Sequence, residues 1–271
     1  EDEYIAGHGE GEGPPEVSDE KLKELDARAA IEEIEKLNNM QVIQPVVLTP
    51  DEVASKNVVD TTLVYDWRFR GGQWIRRCRV VAREFKTGAT DESNFSPTSS
   101  FASVRMLLVF ALIFGLAVTA LDIKDAFLTV PQVEVLYVEI PQWVKERTGK
   151  ADTHWLLKRC LPGQRNAALR WHQHFGEICE GAGLVAFPGA PTIMRHADVN
   201  KKIFLNVHVD DILLVCNPED LQWFQETIGA TLTMKVDGPH APGIWKRKSI
   251  DVSQEKNDNE ARWNFASTQF H

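Results

Sequence analysis

The stretch IFLNVHVDDILLV (Ile203–Val215) sets two apolar, strand-forming runs around a pair of adjacent aspartates, Asp210 and Asp211. Valine, isoleucine and phenylalanine suit the pleated, half-buried surface of a sheet. No Gly, Asn or Pro separates the two runs, so the chain is expected to reverse tightly at the aspartates and present them at a hairpin tip. The dipeptide itself carries little weight, because 17 Asp in 271 residues produce such a pair by chance. Its flanks carry the argument. Two adjacent charges between buried strands repel each other and call for a cation. A second apolar run, LAVTALDI, delivers Asp122 at its end, with Asp125 three residues on. If the two strands are neighbours, Asp122, Asp210 and Asp211 converge. Hard carboxylates with open positions suit Mg²⁺, which keeps waters and takes phosphate oxygens. Two such ions clamp the attacking and leaving oxygens of an in-line phosphoryl transfer. On pattern alone, a turn pair beside an unrelated strand-end aspartate explains these residues equally well.

Working outward, a chain of 271 residues with 43% hydrophobic and 25% charged residues is an ordinary globular composition with enough length for a sizeable core. The net charge of −9 is unevenly spread: residues 1–60 carry 16 acids and five bases, while the rest is close to neutral at +2. The overall acidity therefore does not exclude a polyanionic partner for the body. Four cysteines show no C-x-x-C pair and no zinc spacing, so free thiols in a reducing, intracellular compartment are expected. The longest apolar run, Met106–Val118, has 13 residues. A membrane span needs about 20, so a buried helix is the expectation and no membrane partner is implied.

Residues 1–18 are rich in Gly, Pro and Glu and are expected to be a disordered acidic leader. Ser18 and Asp19 then signal a helix cap, with Leu22, Leu25, Ala29, Ile31, Ile34 and Leu37 near helical spacing; residues 19–60 read as that helix and a linker. VIQPVVLTP is extended, and its prolines exclude a central strand. TTLVYDWRFR, then Gly71-Gly72, then QWIRRCRVVAREF reads as a β-hairpin. It holds Arg68, Arg70, Arg76, Arg77, Arg79, Arg83 and Lys86 against Asp66 and Glu84, interleaved with Trp67, Phe69 and Trp74. That density exceeds what solvation of an outer face requires and points to phosphate contact. Ser100 or Ser103 caps a helix running to about Gly115. AALRWHQHFGEICEGAGL is a helix with Leu169, Trp171, Phe175, Ile178 and Ala182 on one side, Trp171 and Phe175 reading as core. PEDLQWFQETIG is another helix, and the tail after Asp237 is polar and weakly patterned.

ALDIKDAFLTVP followed by VHVDDILLV resembles motifs A and C of reverse transcriptases, and the wider order resembles the Ty/copia retrotransposon type. RCRVVAREF is similar to its fingers strand and NFSPTSSFASVRMLLVFA to its F-S-P…S-x-R-x-L-L segment; LYVEIPQWV and WLLKRCLPGQRNAALRW follow in order. The likeness runs from about residue 25 to 236. It implies an α+β polymerase fold of fingers (residues 61–121) and palm (122–236), the palm a small antiparallel sheet backed by helices. Residues 237–271 would be an incomplete thumb or a disordered tail. The resemblance further implies RNA-directed DNA synthesis on an RNA or DNA template-primer with dNTP substrates and two Mg²⁺, or Mn²⁺ in their place. Asp122, Asp210 and Asp211 match the metal-binding catalytic triad. Asp125 and Ala126 match the positions whose amides hold the incoming triphosphate. Phe127 matches the ring that closes on the sugar C2′ and clashes with a 2′-OH. Gly163 falls at motif B, near the nascent pair and triphosphate. Arg77, Arg79 or Arg83 would supply charge to the phosphates. Lys235 falls near the motif D lysine, a candidate proton donor to pyrophosphate.

The pattern departs from the family in two places. The usual Tyr two residues before the Asp pair is His208, which would pack the primer terminus. The usual motif B, L-Y-G-L-K-Q-A-P-R-x-W, reads LPGQRNAALRW, keeping Gly163 and Trp171, losing the Pro and moving the Arg to Arg170. Two other readings stay open at this level: a remnant that keeps the fold and at most binds nucleic acid, and a different two-metal phosphotransferase such as a nucleotide cyclase or nuclease.

Overall fold

The computed structural model describes residues 13–84, 96–148 and 152–241, with the backbone of three further strands between 244 and 266. The leader to residue 12, Lys86 and the start of the NFSPTSS segment lie outside the described residues. The chain is α+β and forms two compact units, each built from two stretches: Glu1–Asn94 with Phe127–Ala167, and Phe95–Ala126 with Ala168–His271. In chain order the elements are α1 (Asp19–Asn39), β1 (Ile43–Val46), α2 (Pro50–Ser55), β2 (Val58–Val59), β3 (Thr61–Arg70), β4 (Gln73–Ala82), α3 (Phe101–Phe114), β5 (Ala117–Ile123) and α4 (Ala126–Thr129). Then come β6 (Tyr137–Glu139), α5 (Gln142–Thr148), β7 (His154–Leu157), α6 (Ala167–Gly181), β8 (Leu184–Phe187), β9 (Ala190–His196), β10 (Phe204–His208), β11 (Asp211–Cys216), α7 (Pro218–Gly229) and β12 (Met234–His240). Three strands close the chain: β13 (Ile244–Arg247), β14 (Ile250–Asn257) and β15 (Glu260–Ala266).

In the first unit, the Ser18 hydroxyl accepts the Lys21 amide and starts α1 as expected. The buried stripe differs from the expected one: Ala29, Ala30, Glu33 and Leu37 are buried, while Ile31 is 45% exposed. Small alanines let α1 lie close against the hairpin, where Ala29 and Ala30 meet Cys78 with Leu63, Tyr65 and Trp143 around them. That hairpin is β3–β4, turning on Gly71 and Gly72 with φ of 60° and 81°. Two left-handed residues in a two-residue loop match the right-handed strand twist, and glycine adopts them without a Cβ penalty. A four-stranded sheet, β1-β7-β6-β2, puts the proline-bearing β1 at an edge, as its sequence demands. Val138, Trp155, Leu157, Ile43 and Val59 from this sheet bury against Leu37, Leu128 and Leu161. Helix α2 has no counterpart in the sequence reading, although Thr49 and Glu52 form a reciprocal capping box with Pro50 in the first turn.

The second unit is organised on a six-stranded sheet of order β12-β5-β11-β10-β9-β8, antiparallel throughout. Ser100 caps α3 by accepting the Ser103 amide at 3.0 Å, and Gly115 ends it at φ 66°. Leu107, Leu108, Ala111 and Leu116 pack on Val118, Leu213 and Val215 of the sheet. The buried stripe of α6 is Ala167, Trp171, Phe175 and Cys179, every fourth residue, rather than the side carrying Leu169 and Ile178. Where the sequence shows no pattern after Asp237, β12 runs on to His240 and β13–β15 form a three-stranded antiparallel sheet. No disulfide joins the four cysteines, all of them buried. Among the described residues no helix is long and apolar enough to cross a membrane.

Candidate active site

Strand register brings the sequence-predicted acids together. Asp211 is the direct antiparallel partner of Asp122 on β5. His208 is the partner of Asp211 on β10, and Lys235 of β12 is the partner of Asp122. Direct partners share a face, with Cα atoms about 5 Å apart. One row, His208–Asp211–Asp122–Lys235, therefore crosses four strands on one face. The next row, Val207–Ile212–Leu121–Val236, points to the opposite face, and its first three residues are at most 2% exposed. The polar row lies where the cover of α3 ends. Two residues back on the same face, Leu213 is packed under α3 and the Asn206 amide donates to Ser99 Oγ, next to the Ser100 cap.

The hairpin tip is Val209–Asp210 rather than the aspartate pair, since Asp211 already pairs with His208 as the first residue of β11. The turns favoured in a two-residue hairpin loop, types I′ and II′, both place a positive φ at the first position. Val209 supplies it at 53°, an outlier for a β-branched side chain. The left-handed conformation costs about 1–2 kcal/mol for a residue with a Cβ, and two hydrogen bonds hold the turn in place. The buried Trp171 indole N–H donates to the Val209 carbonyl at 2.6 Å, and the Ile123 amide donates to the Asp210 carbonyl at 2.9 Å. Trp171, which the sequence marks as core and as a retained motif B residue, is therefore also the support of the tip. No sequence signal showed this role.

By exposed area, Asp210 and Asp122 are open and Asp211 is half-open. Crowding by neighbouring atoms nonetheless raises the Asp210 carboxyl above its ordinary value. Desolvation is the largest cause, its own backbone N–H opposes it, the charges of Asp211 and Asp122 add to the rise, and His208 counters them. The carboxylates thus lie within electrostatic reach of one another. They are not drawn into one cluster: among the described residues no three His, Cys, Asp or Glu side chains are gathered closely enough to hold a metal ion. Just beyond β5, Asp125 takes a left-handed φ of 53° and turns the chain into α4, whose first residue, Ala126, is buried. Aspartate tolerates that conformation better than most residues.

The remaining predicted residues belong to the first unit. Phe127 is half-buried on α4. Gly163, at φ 88°, sits against the end of β4, where a Cβ would collide with the Ala82 carbonyl oxygen and lie 2.6 Å from Val81 Cγ1. The Ala82 amide donates to the Pro162 carbonyl at 2.8 Å and fixes that approach. Close backbone packing thus accounts for Gly163 without any ligand. The basic residues of the hairpin separate by face. Arg76 is on the α1 side, 2.6 Å from Asp26 and over the rings of Tyr65 and Trp67. Arg83 pairs with Asp60 at 3.2 Å. Arg77 and Arg79 lie on the outer face, 3.9 and 3.3 Å from Asp66.

Residues 45–261 match the reverse transcriptase (RNA-dependent DNA polymerase) family. The chain belongs to that family. Each candidate site residue lies inside the matched span. Curated relatives include the retrovirus-related Pol polyprotein from transposon TNT 1-94 of Nicotiana tabacum, 30% identical over 142 residues, which is 51% of this chain and 11% of the relative. The Pol polyprotein from transposon RE2 of Arabidopsis thaliana is 22% identical over 174 residues, 63% of this chain and 12% of the relative. The chain matches only a small part of the length of each. Both relatives are transposon Pol polyproteins, and together with the family match they support a reverse transcriptase domain of the Ty/copia type.

Proposed function

We propose that the chain is the polymerase core of a copia-type reverse transcriptase and that Asp122, Asp210 and Asp211 are its catalytic carboxylates. The observation that supports this most is the register that sets Asp211 opposite Asp122 with Asp210 in the adjoining turn. In this reading the fingers are the first compact unit and the palm the second, rather than a single cut at residue 122. By ligand chemistry the set suits a divalent cation, three carboxylates with hard oxygen ligands at a strand end and no thiolate in the row, although the side chains would have to draw together to hold it. Bound there, two Mg²⁺ or Mn²⁺ would activate the primer hydroxyl and offset charge on the leaving pyrophosphate. After desolvation, the charges of Asp211 and Asp122 add to the raised pKa of Asp210, and a bound cation would offset that repulsion.

The chain's own residues then divide the work. The primer 3′-oxygen attacks the α-phosphorus of a dNTP, a new P–O bond forms, and pyrophosphate leaves. Lys235, opposite Asp122, is the candidate to hand a proton to that leaving group. His208, on the other side of Asp211, would pack the primer terminus. Asp125 and Ala126 would offer amides to the triphosphate. Arg77, Arg79 or Arg83 would meet phosphate charge, Gly163 would lie near the nascent pair, and Phe127 would screen the sugar 2′ position. The template-primer, RNA or DNA, would be held through its backbone.

The test is dNTP incorporation on a primed RNA template with Mg²⁺, abolished in Asp210→Asn. Strong extension by the Asn variant would remove the site assignment. A second reading, a fold that binds nucleic acid without catalysis, draws on the ungathered carboxylates. Template binding without extension by the unaltered chain, at any Mg²⁺ or Mn²⁺ concentration, would establish it instead.

A further inference from the structure

The two faces of the β3–β4 hairpin have opposite chemistry. Leu63, Tyr65 and Cys78 face α1. The register places Asp66 with Arg77, Arg68 with Ile75, and Arg70 with Gln73 on the outer face, together with Arg79 opposite Val64. That face carries four guanidiniums and one carboxylate. Asp66 is in contact with three of the four: its Oδ2 lies 3.3 Å from Arg68 Nε and 3.3 Å from Arg79 Nη2, and its Oδ1 lies 3.9 Å from Arg77 Nε. None of these pairs is bidentate. Asp66 Oδ1 and Arg79 Nε are buried without a hydrogen-bond partner.

A shared, monodentate, part-exposed ion pair is weak and screened by salt. A phosphate diester or triphosphate offers the same guanidiniums parallel, charge-assisted bonds and outcompetes it. We infer that Asp66 is an internal competitor for the phosphates: it holds Arg68, Arg77 and Arg79 in the free protein and gives them up when a polyanion docks. This rests on the proposed phosphate contacts of Arg77 and Arg79. One carboxylate thereby lowers the hold of the hairpin on nucleic acid below what four arginines would give, which suits a protein that must release each phosphate to move along a strand.

The test is the salt dependence of binding of the full chain to a labelled primed DNA duplex, without nucleotide or divalent metal. Each phosphate neutralised contributes about −0.9 to the slope of log K against log salt. Asp66→Asn is expected to steepen the slope by about one and to tighten binding several-fold at about 0.1 M salt, whereas Asp66→Glu keeps the wild-type slope. The double variant Arg77→Gln, Arg79→Gln is expected to flatten it. If Asp66→Asn does not fold, judged by its melting curve, Asp66→Thr removes the same charge with a strand-favouring side chain. A flattened slope in the double variant beside an unchanged or flatter slope in Asp66→Asn overturns this inference alone. An unchanged slope in the double variant overturns the phosphate reading, and the inference with it.

Discussion

Replacing Gly163 by alanine separates packing from chemistry at motif B. The backbone at φ 88° is one an L-residue rarely adopts, and the added methyl would run into the Ala82 carbonyl oxygen and Val81 Cγ1. The backbone term costs about 1–2 kcal/mol. Overpacking costs about 1–3 kcal/mol. The segments cannot simply part, because the Ala82 amide is bound to the Pro162 carbonyl at 2.8 Å. Losing that bond costs about 1 kcal/mol more. The total, about 4 kcal/mol, is a large share of the roughly 5–15 kcal/mol that holds a typical domain together. Urea unfolding followed by circular dichroism reads it as a fall in midpoint at unchanged slope. A Gly163→Ala protein within about 0.5 kcal/mol of the wild type would refute the packing argument. If that stable variant also failed to extend primers, Gly163 would have to serve the substrate, as the resemblance implies.

Two further outcomes follow from the hairpin tip. Trp171→Phe keeps a ring in the core but leaves the Val209 carbonyl without its indole donor; it should destabilise by about 1–3 kcal/mol and lower kcat for dNTP addition more than it changes the KM for primer-template. Equal melting temperatures for the two proteins would refute the support role. The Asp210 carboxyl is raised by desolvation first and then by Asp211 and Asp122, so between its ordinary and folded pKa the folded chain binds more protons than the unfolded one, and stability falls as pH rises through that window. In metal-free buffer Asp210→Asn should therefore melt higher than the wild type at neutral pH and lose its advantage on acidification. An advantage that persists at about pH 3 would show that the cause is not ionisation.

The fold was legible wherever a local rule acts alone. The Gly71-Gly72 turn, the Ser18 and Ser100 caps, the Gly115 stop and the edge placement of Pro45 each depend on a few adjacent residues. Which face of a helix is buried depends on what it meets. On α1 the face against the hairpin carries Ala29 and Ala30 rather than the larger Ile31, and on α6 the buried stripe runs through Cys179 rather than Ile178. Hydrophobicity alone ranks those residues the other way. Helix α2 is signalled by the Thr49–Glu52 capping box alone, while Pro45 before it and Pro50 in its first turn favour extended chain in a local pattern.

The site divides along the same line. That Asp122 and the Asp210–Asp211 pair stand at strand ends was readable from the apolar runs that lead up to them. Which of the two aspartates faces Asp122 was not, because a one-residue slip in register exchanges the faces of every side chain on a strand. A turn centred on the aspartates would pair Val209 with Ile212 and send Asp210 and Asp211 together into the loop. The observed turn, moved back by one residue, instead seats Asp211 in the ladder opposite Asp122 and leaves Asp210 alone at the tip. Val209 bears the cost of that choice in its left-handed backbone, and Trp171, 38 residues away in sequence, secures it. The same register carries His208 and Lys235 onto the carboxylate row, one at each end. A sequence names the charged residues; the register of the ladder, set by which face is buried and braced at its tip by the Trp171 bond, decides which of them share a face.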